Sequence, residues 1–139
     1  MHHAFEPVWI ESILRWPATR VIATAVLTSA YFLGGVTKLA NFKGAVAEQV
    51  RFGLRPGWLW AVLAIAVELL APILLVSGRL VWLAAGALGV LTAISAWVAD
   101  DFWNRQGPER LATMNTFFEH MGLIAGLALV ALLAEYAKP

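Results

Sequence analysis

Four long apolar segments, separated by short polar ones, dominate the pattern of hydrophobic and polar positions along the chain. A helix needs roughly 20 mainly apolar residues to cross the hydrocarbon core of a bilayer, and each segment is close to that length. Strands in globular proteins are usually much shorter. The pattern therefore predicts four transmembrane helices, the second and third joined by a tight turn that makes them antiparallel neighbours. The predicted spans are residues 21–39, 58–76, 80–99 and 113–134.

Two shorter stretches, residues 7–16 and 42–52, place apolar side chains on one side of a helix and charged ones on the other. Such amphipathic segments lie in the interface between lipid and water. The predicted fold class is an all-α integral membrane four-helix bundle with short interfacial amphipathic helices. We divide the chain into an interfacial N-terminal segment, residues 1–19, and a four-helix membrane domain, residues 20–139.

Composition supports the membrane prediction. The chain is 60% hydrophobic and 14% charged, whereas soluble domains average about half apolar and about a quarter charged. Tryptophans concentrate at membrane interfaces, where their amphipathic rings reach the headgroups. All seven tryptophans of this chain fall at or near a predicted span end: Trp9, Trp16, Trp58, Trp60, Trp82, Trp97 and Trp103.

Several function classes are excluded or made improbable by the residue inventory. The formal net charge of +1 creates no basic field for nucleic acid. The absence of cysteine excludes disulfides, thiolate metal sites and iron–sulfur ligation. Within the spans there is one histidine, His120, and two more stand at the terminus, His2 and His3. No metal site and no covalently bound cofactor is predicted, and no motif of an autonomous catalytic domain is present, so the question of enzyme activity stays open.

Ionisable residues inside the spans are the candidates for function, because an isolated charge there costs at least about 2.5 kcal/mol. We call the membrane side that holds the first and third inter-span connections side B, and the opposite side, side A. Lys38 lies at the side B end of the first span, Glu68 about 15 Å deep in the second, and Glu119 and His120 about 10 Å deep in the fourth. Their depths predict one shared environment.

Each candidate also has a purely structural interpretation. Glu68 and Lys38 could form an ion pair that only fixes helix register, with Glu119 as the alternative partner of Lys38, or Lys38 could extend to side B. Glu119 and His120 are about 100° apart on a helix, so both cannot point inward. Tyr31 shares the polar stripe of Lys38 on the first span. The neighbouring Asp100 and Asp101 are expected to be a solvated helix end.

Short motifs in this order resemble landmarks of the DoxX family. Residues 31–39, Tyr-Phe-Leu-Gly-Gly-Val-Thr-Lys-Leu, are similar to the signature of its first helix. The stretch ending at residues 53–56, Gly-Leu-Arg-Pro, resembles a second landmark, and Glu68 followed by an apolar run resembles the second helix. Residues 117–126 are similar to the last helix. The resemblance extends over residues 20–134.

The resemblance implies a small four-helix protein of the bacterial inner membrane. Some members are linked to quinone-coupled oxidation of sulfur compounds, or to membrane oxidoreductase complexes that handle oxidative stress. We therefore expect a subunit of a redox complex, partnered by the bilayer and other membrane subunits, with a quinone as the suitable non-covalent cofactor. The alternatives are a purely structural subunit and a small transporter or proton path, the latter disfavoured because no inverted repeat is apparent. The candidate pocket comprises Tyr31, Lys38, Glu68, Glu119 and His120.

Overall fold

The computed structural model of the protein describes residues 5–139; residues 1–4, and with them His2 and His3, lie outside that range. The described chain forms six α-helices and one short 3-10 turn, and it contains no strand. The all-α fold class is therefore confirmed. In chain order the helices are α1 (Val8–Arg15), α2 (Pro17–Ala40), α3 (Phe42–Arg51), α4 (Gly57–Ser77), α5 (Val81–Ala99) and α6 (Gly107–Tyr136).

Four of these helices, α2, α4, α5 and α6, are long and apolar enough to cross a membrane. Each packs against the next along the chain, so that α4 lies between α2 and α5, and α5 between α4 and α6. The first and last spans meet along a weaker seam, where Gly126 of α6 faces Leu27 of α2. The four-helix membrane bundle predicted from the hydrophobic pattern is confirmed.

Two spans begin earlier than their apolar stretches do. Helix α2 starts at Pro17 rather than at residue 21, and α6 starts at Gly107 rather than at residue 113. Each has a proline in its first turn, where the fixed backbone angle suits a helix and the missing N–H would have no partner anyway. The predicted starts were late because the first turns carry charged residues, which hydropathy excludes from a span.

The two predicted short helices are present as α1 and α3. Helix α1 buries none of its residues, whereas α3 packs against α4 and buries Ala45 and Gln49. The side chain of Asn41 begins α3, because its Oδ1 accepts a hydrogen bond from the Gly44 N–H at 3.1 Å. The position of both helices at the membrane surface stays a prediction.

The tight turn between α4 and α5 depends on one glycine. Gly78 has a φ of 76°, the left-handed conformation that glycine adopts without steric strain. Its N–H donates to the Leu75 carbonyl at 3.2 Å, and the Arg79 N–H donates to the Leu74 carbonyl at 3.0 Å. These bonds satisfy the last carbonyls of α4 and turn the chain directly into α5.

The bundle divides into an apolar half and a polar half. The buried hydrophobic cluster occupies the side A half and comprises Ala71, Leu75, Val81, Ala84, Ala85, Leu88 and Leu127. On the outside, large apolar side chains are exposed along the spans, for example Leu33 at 65% and Ile73 at 57%. Such a surface suits hydrocarbon rather than water. The polar half on side B contains the candidate functional site.

Candidate functional site in the side B half of the bundle

An ion pair between α2 and α4 marks one wall of this site. Lys38 Nζ donates to both carboxylate oxygens of Glu68, at 2.8 and 3.2 Å. The Glu68 side chain is 8% exposed and that of Lys38 is 23% exposed. A buried carboxylate needs such a partner, because in a low-dielectric interior an unpaired charge is strongly disfavoured. The two helices are therefore fixed to each other at this level.

Two adjacent glycines of α2 make room for this pair. A Cβ atom added to Gly34 would lie 2.6 Å from Glu68 Oε2, and one added to Gly35 would lie 2.8 Å from Leu69 Cδ2. Both distances are shorter than real contacts, so any side chain here would displace α4 residues. The Gly34-Gly35 step thus lets α2 approach α4 closely enough for Lys38 to reach Glu68.

A second contact joins α2 to α5. The Tyr31 hydroxyl and Thr92 Oγ1 are 2.6 Å apart, and Thr92 Oγ1 also donates to the Leu88 carbonyl at 2.6 Å. A threonine hydroxyl has one proton, and the carbonyl receives it, so Tyr31 must be the donor to Thr92. The lone pairs of the Tyr31 oxygen remain available to accept a hydrogen bond from a ligand.

A third contact joins α5 to α6. His120 Nδ1 lies 2.5 Å from Asp100 Oδ2 at the side B end of α5. Asp100 is buried, with its side chain 9% exposed, while the His120 ring is 29% exposed. A carboxylate can only accept a hydrogen bond, so Nδ1 carries the proton and Nε2 is left without one in the neutral ring.

These three contacts surround a cavity of about 230 Å³, here called the polar cavity. All four spanning helices contribute to its wall, whose polar side chains are those of Tyr31, Lys38, Glu68, Thr92, Ser95 and His120. The Ser95 hydroxyl has no hydrogen-bond partner among residues 5–139 and is free to bind a ligand. The remaining lining residues are Ala30, Gly34, Leu91 and Leu123.

An apolar groove of about 540 Å³ adjoins the polar cavity between α3, α4 and α5. Along α5 it runs from Trp82 to Val98, about 24 Å at the rise of an α-helix. The groove and the polar cavity share four lining residues, Lys38, Glu68, Leu91 and Ser95. The polar cavity therefore directly adjoins a long apolar groove of the kind that a hydrocarbon tail can occupy.

A comparison with known families covers three of the four spanning helices. Residues 20–101, more than half of the chain, match the DoxX family. The chain belongs to the DoxX family. The DoxX match includes the α2, α4 and α5 residues of the polar cavity and ends before α6 begins, so the resemblance of residues 117–126 to the last DoxX helix stays a prediction. Neither a curated protein nor a solved structure matches the chain.

The structure of this DoxX protein brings four of the five candidate residues together. Tyr31, Lys38, Glu68 and His120 all line the polar cavity. Glu119 is exposed on α6, does not line the cavity, and makes no hydrogen bond or ion pair among the described residues. The expectation that Glu119 belongs to the shared environment is therefore not met, because the rotation of α6 turns His120 inward instead.

The structure corrects the expectation that was made for Asp100. It was expected to be a solvated helix end, but it is 7% exposed and pairs with His120. Its neighbour Asp101 does behave as expected, since it is partly exposed and bonded to the nearby Asn104 and Arg105 side chains. The two residues differ because the chain reverses direction after α5, so that His120 of α6 covers Asp100. The hydropathy of the sequence does not indicate this contact.

Arg105 stabilises this return of the chain. Its guanidinium donates to Asp101 at 3.1 and 3.2 Å, to Glu109 at 2.6 Å and to the Ala99 carbonyl at 3.3 Å. The hydrogen bonds that the Arg105 guanidinium donates to Asp101 and then to Glu109 raise its pKa above the usual value. Arg105 thereby ties the end of α5 to the start of α6, which is the geometry that lets His120 reach Asp100.

Proposed function

We propose that this DoxX protein is a small subunit of a bacterial redox complex in the cytoplasmic membrane and binds a quinone-type molecule. The observation that carries the proposal is that the polar cavity and the apolar groove adjoin and share four lining residues. A quinone combines a ring bearing two oxygens with a long hydrocarbon tail, so its binding site needs both environments side by side. Ser95 lies at their junction and lines both.

The size and chemistry of the polar cavity match a single small ring. Its volume of about 230 Å³ is below the roughly 300–1,000 Å³ of sites for whole drug-sized ligands. The tail would therefore lie outside it, in the groove. The Ser95 hydroxyl and the third N–H of Lys38 can donate to a ring oxygen, since two Lys38 protons are engaged by Glu68.

Binding can be tested with the purified protein in lipid nanodiscs. Trp60 and Trp82 line the groove, so titration with a decyl-tailed benzoquinone should quench part of the tryptophan fluorescence in a saturable way. Absence of saturable quenching would contradict the proposal. Mass analysis of co-purified proteins from the native membrane would test the second half of it, the membership of a larger complex.

Two glycines of α5 provide a matched pair of variants that tests whether the tail occupies the groove. Gly86 lines the groove and Gly89 of the same helix does not, while an added Cβ at either position meets no atom within 4 Å. Gly86→Leu should fill the groove and weaken binding of the tailed quinone about tenfold or more, a loss of about 1.4 kcal/mol. Gly89→Leu should bind like the wild type. Equal effects of the two variants would show that the tail does not use this groove.

A purely structural subunit is the second candidate, and one observation favours it. The Lys38–Glu68 pair is complete without any ligand, because Lys38 Nζ contacts both carboxylate oxygens. Buried ion pairs can serve to fix helix register. Under this alternative, Gly86→Leu would leave the composition and activity of the native complex unchanged.

A further inference from the structure

The pairing of Asp100 with His120 has the geometry of a proton-accepting site at the wall of the polar cavity. Nδ1 of His120 is occupied by the Asp100 carboxylate at 2.5 Å. The ring also lines the polar cavity. Hydrogen bonding of one ring nitrogen to a carboxylate fixes the tautomer and orients the other nitrogen as the base. Nε2 is thus the atom of this pair that remains for a ligand.

We infer that His120 accepts a proton from a hydroxyl-bearing ligand in the polar cavity, such as a hydroquinone, and that Asp100 is its positioning residue. The ligand class rests on the proposed function. In the step, the ligand O–H bond breaks, its electron pair stays on the oxygen, and a bond forms between the proton and Nε2. The imidazolium produced is stabilised by the Asp100 carboxylate. The step transfers a proton and no electron.

The other polar groups of the cavity are less suited to take this proton. Lys38 already carries its charge and donates to Glu68, whose two oxygens are both engaged. Tyr31 and Thr92 can accept a hydrogen bond, but a neutral hydroxyl is a very weak base. Ser95 is a donor that can hold the ligand oxygen as it becomes negative. The neutral imidazole is therefore the base that the wall provides.

The location of the pair places the proton acceptor toward side B. Asp100 follows the last residue of α5, so the pair lies at the side B end of that helix. The charged groups that face His120 are Asp100 from α5 and, across the cavity, Lys38 from α2 and Glu68 from α4. Glu119 of α6 does not line the cavity. Among residues 5–139, the uncompensated charge that faces the ring is thus that of Asp100, and it is negative.

The ligand-free protein provides the first test. Histidine ¹⁵N shifts of the full chain in nanodiscs report the tautomer, with His120→Gln identifying the signal. We expect neutral His120 to carry its proton on Nδ1. Asp100→Ala should abolish that preference, whereas Glu119→Ala, which removes an exposed carboxylate of α6 outside the cavity, should retain it. A proton on Nε2 in the wild type would overturn the inference, because the cavity would then face a donor and no base.

The second test uses a ligand with an acidic hydroxyl, a decyl-tailed 2-hydroxy-1,4-naphthoquinone, which is ionised at neutral pH. Calorimetry in buffers of different ionisation enthalpy counts the protons exchanged on binding. The wild type and Glu119→Ala should take up protons as the ligand binds, to a limit of one per ligand, since imidazolium is the counter-ion of the bound anion, and His120→Gln should take up none. Equal uptake by His120→Gln would overturn the inference.

The outcomes separate this inference from the proposed function. If the probe does not bind to the wild type, the quinone-type site fails, while the ligand-free tautomer still decides whether Asp100 holds His120 as a base. If the probe binds to the wild type and no proton is taken up, the site stands and His120 is not the proton acceptor.

Discussion

Glu68 on α4 receives two hydrogen bonds from Lys38 on α2, at 2.8 and 3.2 Å, and this ion pair separates the polar cavity from the apolar groove. Both residues line both spaces. The pair can therefore act in stability and in ligand binding at once, and the two roles can be distinguished by variants.

The first prediction concerns the stability of the pair. Lys38→Met should lower the free energy of unfolding by about 2–3 kcal/mol, because Glu68 is left unpaired in a buried site; Lys38 is partly exposed, so the effect is smaller than at a fully buried pair. The double variant with Glu68→Gln should recover part of the loss. Thermal unfolding in detergent measures both, and Lys43→Met, at an exposed lysine of α3, is the control. Strict additivity of the two single effects would mean that the groups are energetically independent.

The second prediction separates binding from stability at Gly34. An added methyl group would contact the Glu68 carboxylate, which is the end of a flexible side chain and can move aside. Gly34→Ala should therefore displace the ion pair and weaken quinone binding about tenfold. Its effect on the melting temperature should be smaller than that of Lys38→Met, because both charges of the pair remain. Gly122→Ala is the matched control, because an added Cβ there meets nothing within 4 Å. Unchanged binding in Gly34→Ala would show that the position of the carboxylate is irrelevant to the ligand.

The third prediction concerns the Tyr31–Thr92 hydrogen bond. Tyr31→Phe removes its donor and should cost about 1 kcal/mol of stability, the typical contribution of one hydrogen bond. Thr92→Val removes the acceptor, and a double-mutant cycle should give a coupling energy of similar size. Unfolding of the four proteins under one condition measures it. A coupling energy near zero would indicate that the two hydroxyls do not bond in the membrane.

The fourth prediction concerns Glu119. Because it is exposed on α6 and lies outside the polar cavity, Glu119→Leu should neither weaken quinone binding nor lower stability. His120→Gln, one residue further along the same helix, should weaken binding. The comparison uses the same fluorescence titration for both variants. A loss of affinity in Glu119→Leu equal to that in His120→Gln would place Glu119 at the ligand after all.

The spans could be predicted, and the Lys38–Glu68 pair could be predicted as one of several alternatives, because both depend on position along the chain. Span length follows from the thickness of the bilayer, and the depth of a charge follows from its distance to the span end. The rotation of α6 could not be predicted, since the choice between Glu119 and His120 depends on how the chain returns after α5. The expectation that Asp100 is solvated was wrong for the same reason. Thr92 and Ser95 carried no signal, because small hydroxyl residues are common within transmembrane helices.

The apolar cluster around Leu75, Leu88 and Leu127 closes the bundle on side A, while the polar cavity lies toward side B. A bundle arranged in this way is electrically asymmetric: its lower-dielectric half insulates the cavity from one aqueous compartment. A proton released in the cavity would return to the compartment on side B without crossing the membrane potential. Proton transfer in this protein would then depend on the pH of one compartment, and the direction of insertion into the membrane would decide which one.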